Sequence, residues 1–305
     1  MVFHSVSKYV FSWLKRVEKV KEESLTDWLL YEVSSRTNRF YYKAFTRNEE
    51  ATNGADWEWW VLTNGSHGFN AYRFLVQAKK LKSNLDNYSL ISYGNRNGLQ
   101  IDLLIDSAKQ RNAMPVYMYY SVALPDFRKQ RKIIHHLCHH PVPCCEHCTN
   151  GAYLSIAQTV KNEVFDSPRK HIAAEDLLNR SLPLSILDFL LDCHHCRYCH
   201  HCTKDCFDYK MHYNAPHPCG DIAEIIMERL NRYYIDCMCE KGSNIEFGIK
   251  HNGNLIPNYV MQFIRIHEQS HEIESHGEQH DWYEAEFKHH LHDISGIAII
   301  DLREK

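Results

Sequence analysis

The order of local signals predicts an α/β fold: helix, three strands, helix and strand within residues 24–121. Two observations carry this order. The first is a hairpin signature, GADWEWWVL (54–62), TNGSHG (63–68) and FNAYRFLVQAKKL (69–81). Both arms are rich in Trp, Tyr, Phe and Val, and Asn64-Gly65 with Gly68 favours a reversal between them. The second is a change of period. GLQIDLLIDSAKQRN places Leu99, Leu103, Leu104 and Ala108 at helical spacing, and the strand-type run PVYMYYS (115–121) follows.

The elements follow in order. Phe3, Val6, Val10, Leu14 and Val17 mark an amphipathic leading helix in residues 1–23, suited to packing or to a homodimer surface rather than to membrane anchoring. Ser24 as N-cap, with Asp27 three residues on, opens a helix that ends near Asn38, and RFYYKAF (39–45) reads as the first strand. The hairpin comes next, and a Gly-Asn-rich loop at 94–98 leads into the second helix. Residues 24–125 thus form the core. Residues 126–220 read as a largely helical Cys/His-rich region containing GAYLSIAQTVKNEV and LPLSILDFLL. Residues 221–305 add the helix DIAEIIMERLNRYY and a closing strand, GIAIIDL, that returns to the main sheet.

The hairpin brings one acid beside a Gln-x-Lys. With the reversal near Gly65 and Ser66, Asp56 falls opposite a residue near 75, which makes Gln77 its neighbour. Strand side chains alternate, so Gln77 and Lys79 share one face while Phe74, Val76 and Ala78 point to the core on the other. A carboxylate, an amide oxygen and a strand carbonyl, here that of Ala78, are the oxygen ligands that Mg²⁺ or Mn²⁺ takes while keeping some of its waters. An ammonium nearby would neutralise charge developing on a scissile phosphate. The chemistry implied is phosphodiester hydrolysis. Glu58, on the Asp56 face, and Glu49 and Glu50, just before the strand, are further candidates for the metal shell.

The αβββαβ order with Asp56, Gln77 and Lys79 resembles the restriction-endonuclease-like PD-(D/E)XK superfamily, in the Mrr-type variant that carries Gln for the second acid. The phrases GADWEWW, VQAKKL, QIDLLIDSA and PVYMYYS look like an uncharacterised bacterial family of that kind. The resemblance implies a mixed sheet and a Mg²⁺- or Mn²⁺-dependent endonuclease acting on double-stranded DNA in bacterial restriction or antiviral defence, with a defence-system partner in view. It makes Asp56 the metal-binding acid, Gln77 and Lys79 the Gln-x-Lys pair, and Glu32 the helix glutamate that faces the site.

Twelve cysteines in a chain read as cytoplasmic point to metal rather than disulfides. Cys145 and Cys148, with Cys193, Cys196, Cys199, Cys202 and Cys206 in CHHCRYCHHCTKDC, supply ligands for one or two structural zincs. The last four also have the spacing of a bacterial iron-sulfur cluster, but Phe207 replaces the proline usual there and the interleaved histidines suit zinc better. A zinc-stabilised interaction module without turnover is therefore the alternative to a nuclease. A lesser one is a zinc protease built on His267, Glu268 and His271 (HExxH), in a segment whose His and Glu content produces such spacings by composition.

Whole-chain numbers set the bounds. With 305 residues, 44% of them hydrophobic, the chain can bury a sizeable core. A formal charge of -3 argues against bulk coating of nucleic acid and leaves room for a local basic face. Lys79, Lys80 and Lys82, and the run Arg128-Lys129-Gln130-Arg131-Lys132, are the candidates for that face. No signal peptide and no membrane span is expected, because no apolar run approaches the roughly 20 residues that a bilayer requires.

Overall fold

The structure, a computed structural model, describes residues 2–45, 53–65, 68–83, 85–126, 128–130, 150–165, 171–188, 227–228, 230–231, 234, 250–252, 256–270 and 294–303. Its centre is a mixed sheet built on the predicted hairpin. Strand β2 (Trp57–Gly65) pairs antiparallel with β3 (Gly68–Lys80), the register running from Trp57 opposite Val76 to Gly65 opposite Gly68. Strand β1 is Phe40–Ala44, and the short antiparallel pair β4 (Gly94–Asn95) and β5 (Gly98–Leu99) stands apart from the sheet. Strand β6 (Met114–Tyr120) lies parallel to β3, as a connection through a helix demands. Helix α1 is Val2–Arg16, α2 Glu22–Arg36, α3 Tyr88–Ile91 and α4 Gln100–Gln110.

The later part of the chain joins the same sheet. Strands β7 (Ala152–Ile156) and β8 (Leu182–Pro183) extend it antiparallel beyond β6. Strand β9 (Lys250–Asn252) pairs with the first half of β3. Strand β10 (Gly296–Asp301), buried throughout, slots between β1 and β2, antiparallel to the first and parallel to the second. The closing strand thus returns to the sheet as its composition predicts. GAYLSIAQTVKNEV, expected to be helical, divides into β7 and helix α5 (Ala157–Phe165), because β6 offers a strand edge to which residues 152–156 hydrogen-bond. In LPLSILDFLL, Leu182–Leu187 gives β8 and a 3₁₀ turn at Leu184–Leu187, and residues 189–191 lie outside the described residues. Helices α6 (Ala174–Leu178) and α7 (Asn258–Ser270) complete the described set, whereas most of the expected helix at 221–234 lies outside the described residues.

Each sheet face has its own core. Phe74, Val76 and Ala78, predicted to point inward, meet Trp57, Trp59 and Val61 under α1 and α2. Leu75, Trp60, Tyr117 and Tyr119 lie on the opposite face, under α4, α5 and α7. The apolar stripe of α1 is spent inside the chain, since Phe3, Val6 and Val10 are fully buried. Two contacts across the chain fix that helix. The Asp188 carboxylate accepts from the backbone N–H groups of Phe3 (2.8 Å) and His4 (2.7 Å), capping donors that have no partner within the helix. Ser7 Oγ accepts from Gly151 and Ala152 N–H at the start of β7. Gly151 has to be glycine at this approach, because a Cβ would lie 2.2 Å from the backbone N of Phe11.

Candidate functional site

The hairpin register extends one step beyond Trp57, where the Asp56 N–H donates to the Val76 carbonyl at 2.9 Å. Asp56 therefore sits beside Gln77, about two residues from the position expected opposite it. The start of β10 closes the other side, with the Ser295 N–H donating to the Asp56 carbonyl at 2.6 Å. Gly54 supports the approach to the site from below. It adopts φ +74°, and a Cβ there would lie 2.5 Å from the Gln100 carbonyl and 2.7 Å from the Leu104 nitrogen, so only glycine lets this loop lie against α4.

Three of the predicted site residues meet. Gln77 Nε2 donates to Asp56 Oδ2 at 2.5 Å and to the Ala78 carbonyl at 3.0 Å. The Ala78 N–H donates to the same Asp56 oxygen at 3.0 Å. Two acceptor oxygens, one from a carboxylate and one from the backbone, thus converge on a single amide N–H₂ group. Gln77 and Lys79 share the face opposite Ala78, as alternation requires, but that face is covered: the two are only 2% and 8% exposed. Their register partners on β6 are Tyr117 and Tyr119, whose rings stack at 5.6 Å. Burial pushes both phenols upward, so they remain neutral hydroxyls.

Glu22 is a site residue that sequence reasoning missed. Helix α2 begins two residues before the expected cap at Ser24, which puts Glu22 in its first turn. There its carboxylate accepts from the Lys80 N–H at 2.6 Å. Burial pushes the Glu22 carboxyl up to about 7, against the opposing pull of the Lys79 ammonium and the Lys80 N–H, while the Asp56 charge adds to the rise. Lys80 Nζ reinforces this arrangement by donating to the Glu18 (2.6 Å) and Val20 (2.8 Å) carbonyls, so its ammonium is tied to the α1–α2 turn rather than offered to a phosphate. The sequence signal for Glu22 was its place beside the helix start, but the cap assigned to Ser24 shifted that start past it.

Glu32 is not brought to the site. It lies about 15 Å of helix rise beyond Glu22 and pairs with Arg36 at 2.6 Å, one turn along the same helix. Glu58 is also held elsewhere. Its carboxylate is fully buried and accepts from Trp60 Nε1 (2.6 Å), Arg73 Nη2 (2.6 Å) and the Tyr259 hydroxyl (2.5 Å), with Arg73 also lying over the Trp60 ring. Gln100, a residue with no expected role, donates through Nε2 to Gln77 Oε1 at 2.9 Å from the first turn of α4.

Several expectations fall beyond the described residues. Glu49, Glu50, His271 and all twelve cysteines, including Cys145, Cys148, Cys193, Cys196, Cys199, Cys202 and Cys206, lie outside them. His267 is described, and its ring packs against Phe263 (4.6 Å) and Tyr41 (5.5 Å). In the basic run Arg128 and Lys129 are exposed, whereas Gln130 is buried and donates to the Leu178 and Ser181 carbonyls. Among the described residues no group of three or more His, Cys, Asp or Glu side chains is placed to hold a metal ion. The Asp56 cluster is of another kind, because two of its three candidate ligand oxygens come from an amide and a backbone carbonyl. Among those residues, no helix is long and apolar enough to cross a membrane.

The comparisons with known proteins add one finding. No curated protein and no solved structure matches the chain. Over residues 1–282 it matches DUF6615, a family of unknown function, and the chain belongs to that family.

Proposed function

We propose that this protein is a divalent-metal-dependent nuclease of the restriction-endonuclease-like kind, hydrolysing phosphodiester bonds of double-stranded DNA in a bacterial restriction or defence setting. The observation that carries the reading is the convergence of the Asp56 carboxylate and the Ala78 carbonyl on one point at the Gln77 amide, with the Glu22 carboxyl within electrostatic reach of both Asp56 and Lys79. That donor set fits Mg²⁺ or Mn²⁺: hard oxygens, one full negative charge, and room in the ligand count for waters. Asp56, Ala78 through its carbonyl, and Gln77 through its side-chain oxygen would hold the ion. Bound there, it supplies Lewis acidity toward a phosphate oxygen and lowers the pKa of a water.

The protein's own groups do the rest. Lys79 provides a fixed positive charge, buried and therefore little screened, for the oxygens of the phosphate as charge builds on them. Glu22, with its carboxyl near 7, takes a proton from the attacking water at neutral pH, where both of its protonation states are populated. The sheet under Gln77 and Lys79 fixes their backbone by pairing with β2 and β6, so that little reorganisation is needed.

Supercoiled plasmid DNA incubated with the full chain and Mg²⁺ or Mn²⁺ tests this. Wild type should nick or linearise it, EDTA should stop the reaction, and Asp56→Ala and Lys79→Ala should each lower the rate by about 100-fold or more. Cleavage that survives both substitutions would place the chemistry elsewhere.

A further inference from the structure

Gln77 faces the two acceptor oxygens with the wrong end for a cation ligand. Its Nε2 is spent on Asp56 Oδ2 and the Ala78 carbonyl, while its Oε1 is turned away to accept from Gln100. An amide N–H₂, with its partial positive charge, thus occupies the point where the two oxygens would hold an ion. The far end of Gln100 is the second relevant observation. Its Oε1 is buried and, among the described residues, makes no hydrogen bond, so rotating the Gln100 amide by half a turn forfeits nothing there. Amide oxygen and nitrogen are nearly isosteric, and the terminal torsion of glutamine is soft.

We propose that Gln77 and Gln100 form a two-position amide relay, in which Gln100 is the positioning residue that switches Gln77 between a plug and a ligand of the divalent-ion site. In the first position Gln100 donates to Gln77, and the Gln77 N–H₂ bridges Asp56 and Ala78. In the second both amides are turned. Gln77 Oε1 joins Asp56 Oδ2 and the Ala78 carbonyl as a third oxygen, and Gln77 Nε2 donates to Gln100 Oε1. The bond between the two side chains exists in both positions with its direction reversed, which only a residue carrying both a donor and an acceptor can achieve. A carboxylate in place of Gln77 would need no such partner, so the relay gives the Gln-x-Lys arrangement a reason for Gln100. The inference rests on the metal-site reading above.

The test is divalent binding, measured by titration calorimetry with Mn²⁺ on the full chain, taking as site-specific the part that Asp56→Asn abolishes. Gln100→Glu offers Gln77 an acceptor and no donor, which favours the ligand position and should tighten Mn²⁺ binding about tenfold, the worth of roughly one hydrogen bond. The same change made beside Gln77→Met should give no gain, because no amide remains there to be turned. A charge effect of Gln100→Glu alone would tighten binding in both backgrounds, and that result overturns the relay. Wild-type protein without Asp56-dependent Mn²⁺ binding overturns the metal reading itself, and the relay with it. Should Gln100→Glu fail to fold, the side-chain amide spectrum of ¹⁵N-glutamine-labelled wild type decides. The Gln77 resonance, assigned by its loss in Gln77→Glu, should shift on adding Mg²⁺ as its N–H₂ leaves Asp56 and Ala78 for Gln100. An unmoved resonance under saturating Mg²⁺ overturns the proposal.

Discussion

Two carboxylates stand two residues apart on the hairpin, and the fold treats them in opposite ways. Glu58 is fully buried and met on all sides, by the Arg73 guanidinium, the Trp60 indole and the Tyr259 hydroxyl. Asp56, one strand repeat away, bonds an amide N–H₂ and a backbone N–H, and its neighbours are a buried lysine and a carboxyl raised toward neutrality. The first cluster is electrostatically closed and ties α7 to β2 and β3. The second, on the relay proposed above, holds groups whose partners exchange. A buried charge alone therefore does not mark a site, and what separates the two clusters is whether the bonds around the charge can be given up at small cost.

The comparison breaks most visibly in the closed cluster. Arg73→Leu leaves the Glu58 carboxylate buried without its counter-charge, and should cost about 3–5 kcal/mol of unfolding free energy. Urea unfolding at pH 7.5 reads it, and a loss below about 1 kcal/mol would mean that the pair is dispensable. Gly54→Ala acts on the open cluster through its backbone. A left-handed φ combined with contacts of 2.5 and 2.7 Å to α4 backbone atoms should cost about 3 kcal/mol and weaken divalent binding, since Asp56 and Gln100 must separate.

Glu22→Gln sharpens the contrast through pH. The Glu22 carboxyl ionises near the ordinary glutamate value of 4.5 in the unfolded chain and at about 7 in the folded one, so its contribution to stability is complete below 4.5 and is lost as pH rises through 7. Glutamine does not ionise. The variant should match wild type below pH 4.5 and exceed it above pH 7 by on the order of 3 kcal/mol, measured by unfolding in EDTA across that range. Parallel curves would show that Glu22 is solvated as in water. The smallest effect belongs to Tyr259→Phe, which removes the hydroxyl's hydrogen bonds to Glu58 and Arg73 and leaves the Arg73–Glu58 ion pair intact. About 1.5 kcal/mol is expected, with plasmid cleavage unchanged.

Much of this was legible before any coordinates. The alternation in FNAYRFLVQAKKL divided Phe74, Val76 and Ala78 from Gln77 and Lys79, and the Asn-Gly signal set the reversal closely enough to bring Asp56 to Gln77. GIAIIDL had the composition of a buried strand and became one. Other readings failed where two local signals competed. Ser24 looked like the better cap, yet α2 starts at Glu22, where the Lys80 N–H and the Lys80 ammonium hold the preceding turn in place. The residues of β7 fitted a helix until β6 presented them with an edge. In α4 the buried face is Ile101, Leu104, Ile105 and Ala108 rather than one through Leu99 and Leu103, and this rotation is what turns Gln100 onto Gln77.

The sequence by itself determined strands β1, β2, β3, β6 and β10, the hairpin and the pairing of Asp56 with Gln77, because side-chain alternation and turn chemistry act over a few bonded neighbours. Only the tertiary structure decided that Glu22 and not Glu32 stands at the cluster, that β10 enters between β1 and β2, and that Gln100 reaches Gln77. Those outcomes depend on hydrogen bonds between segments some 20 to 240 residues apart, whose partners exist only once the sheet has formed.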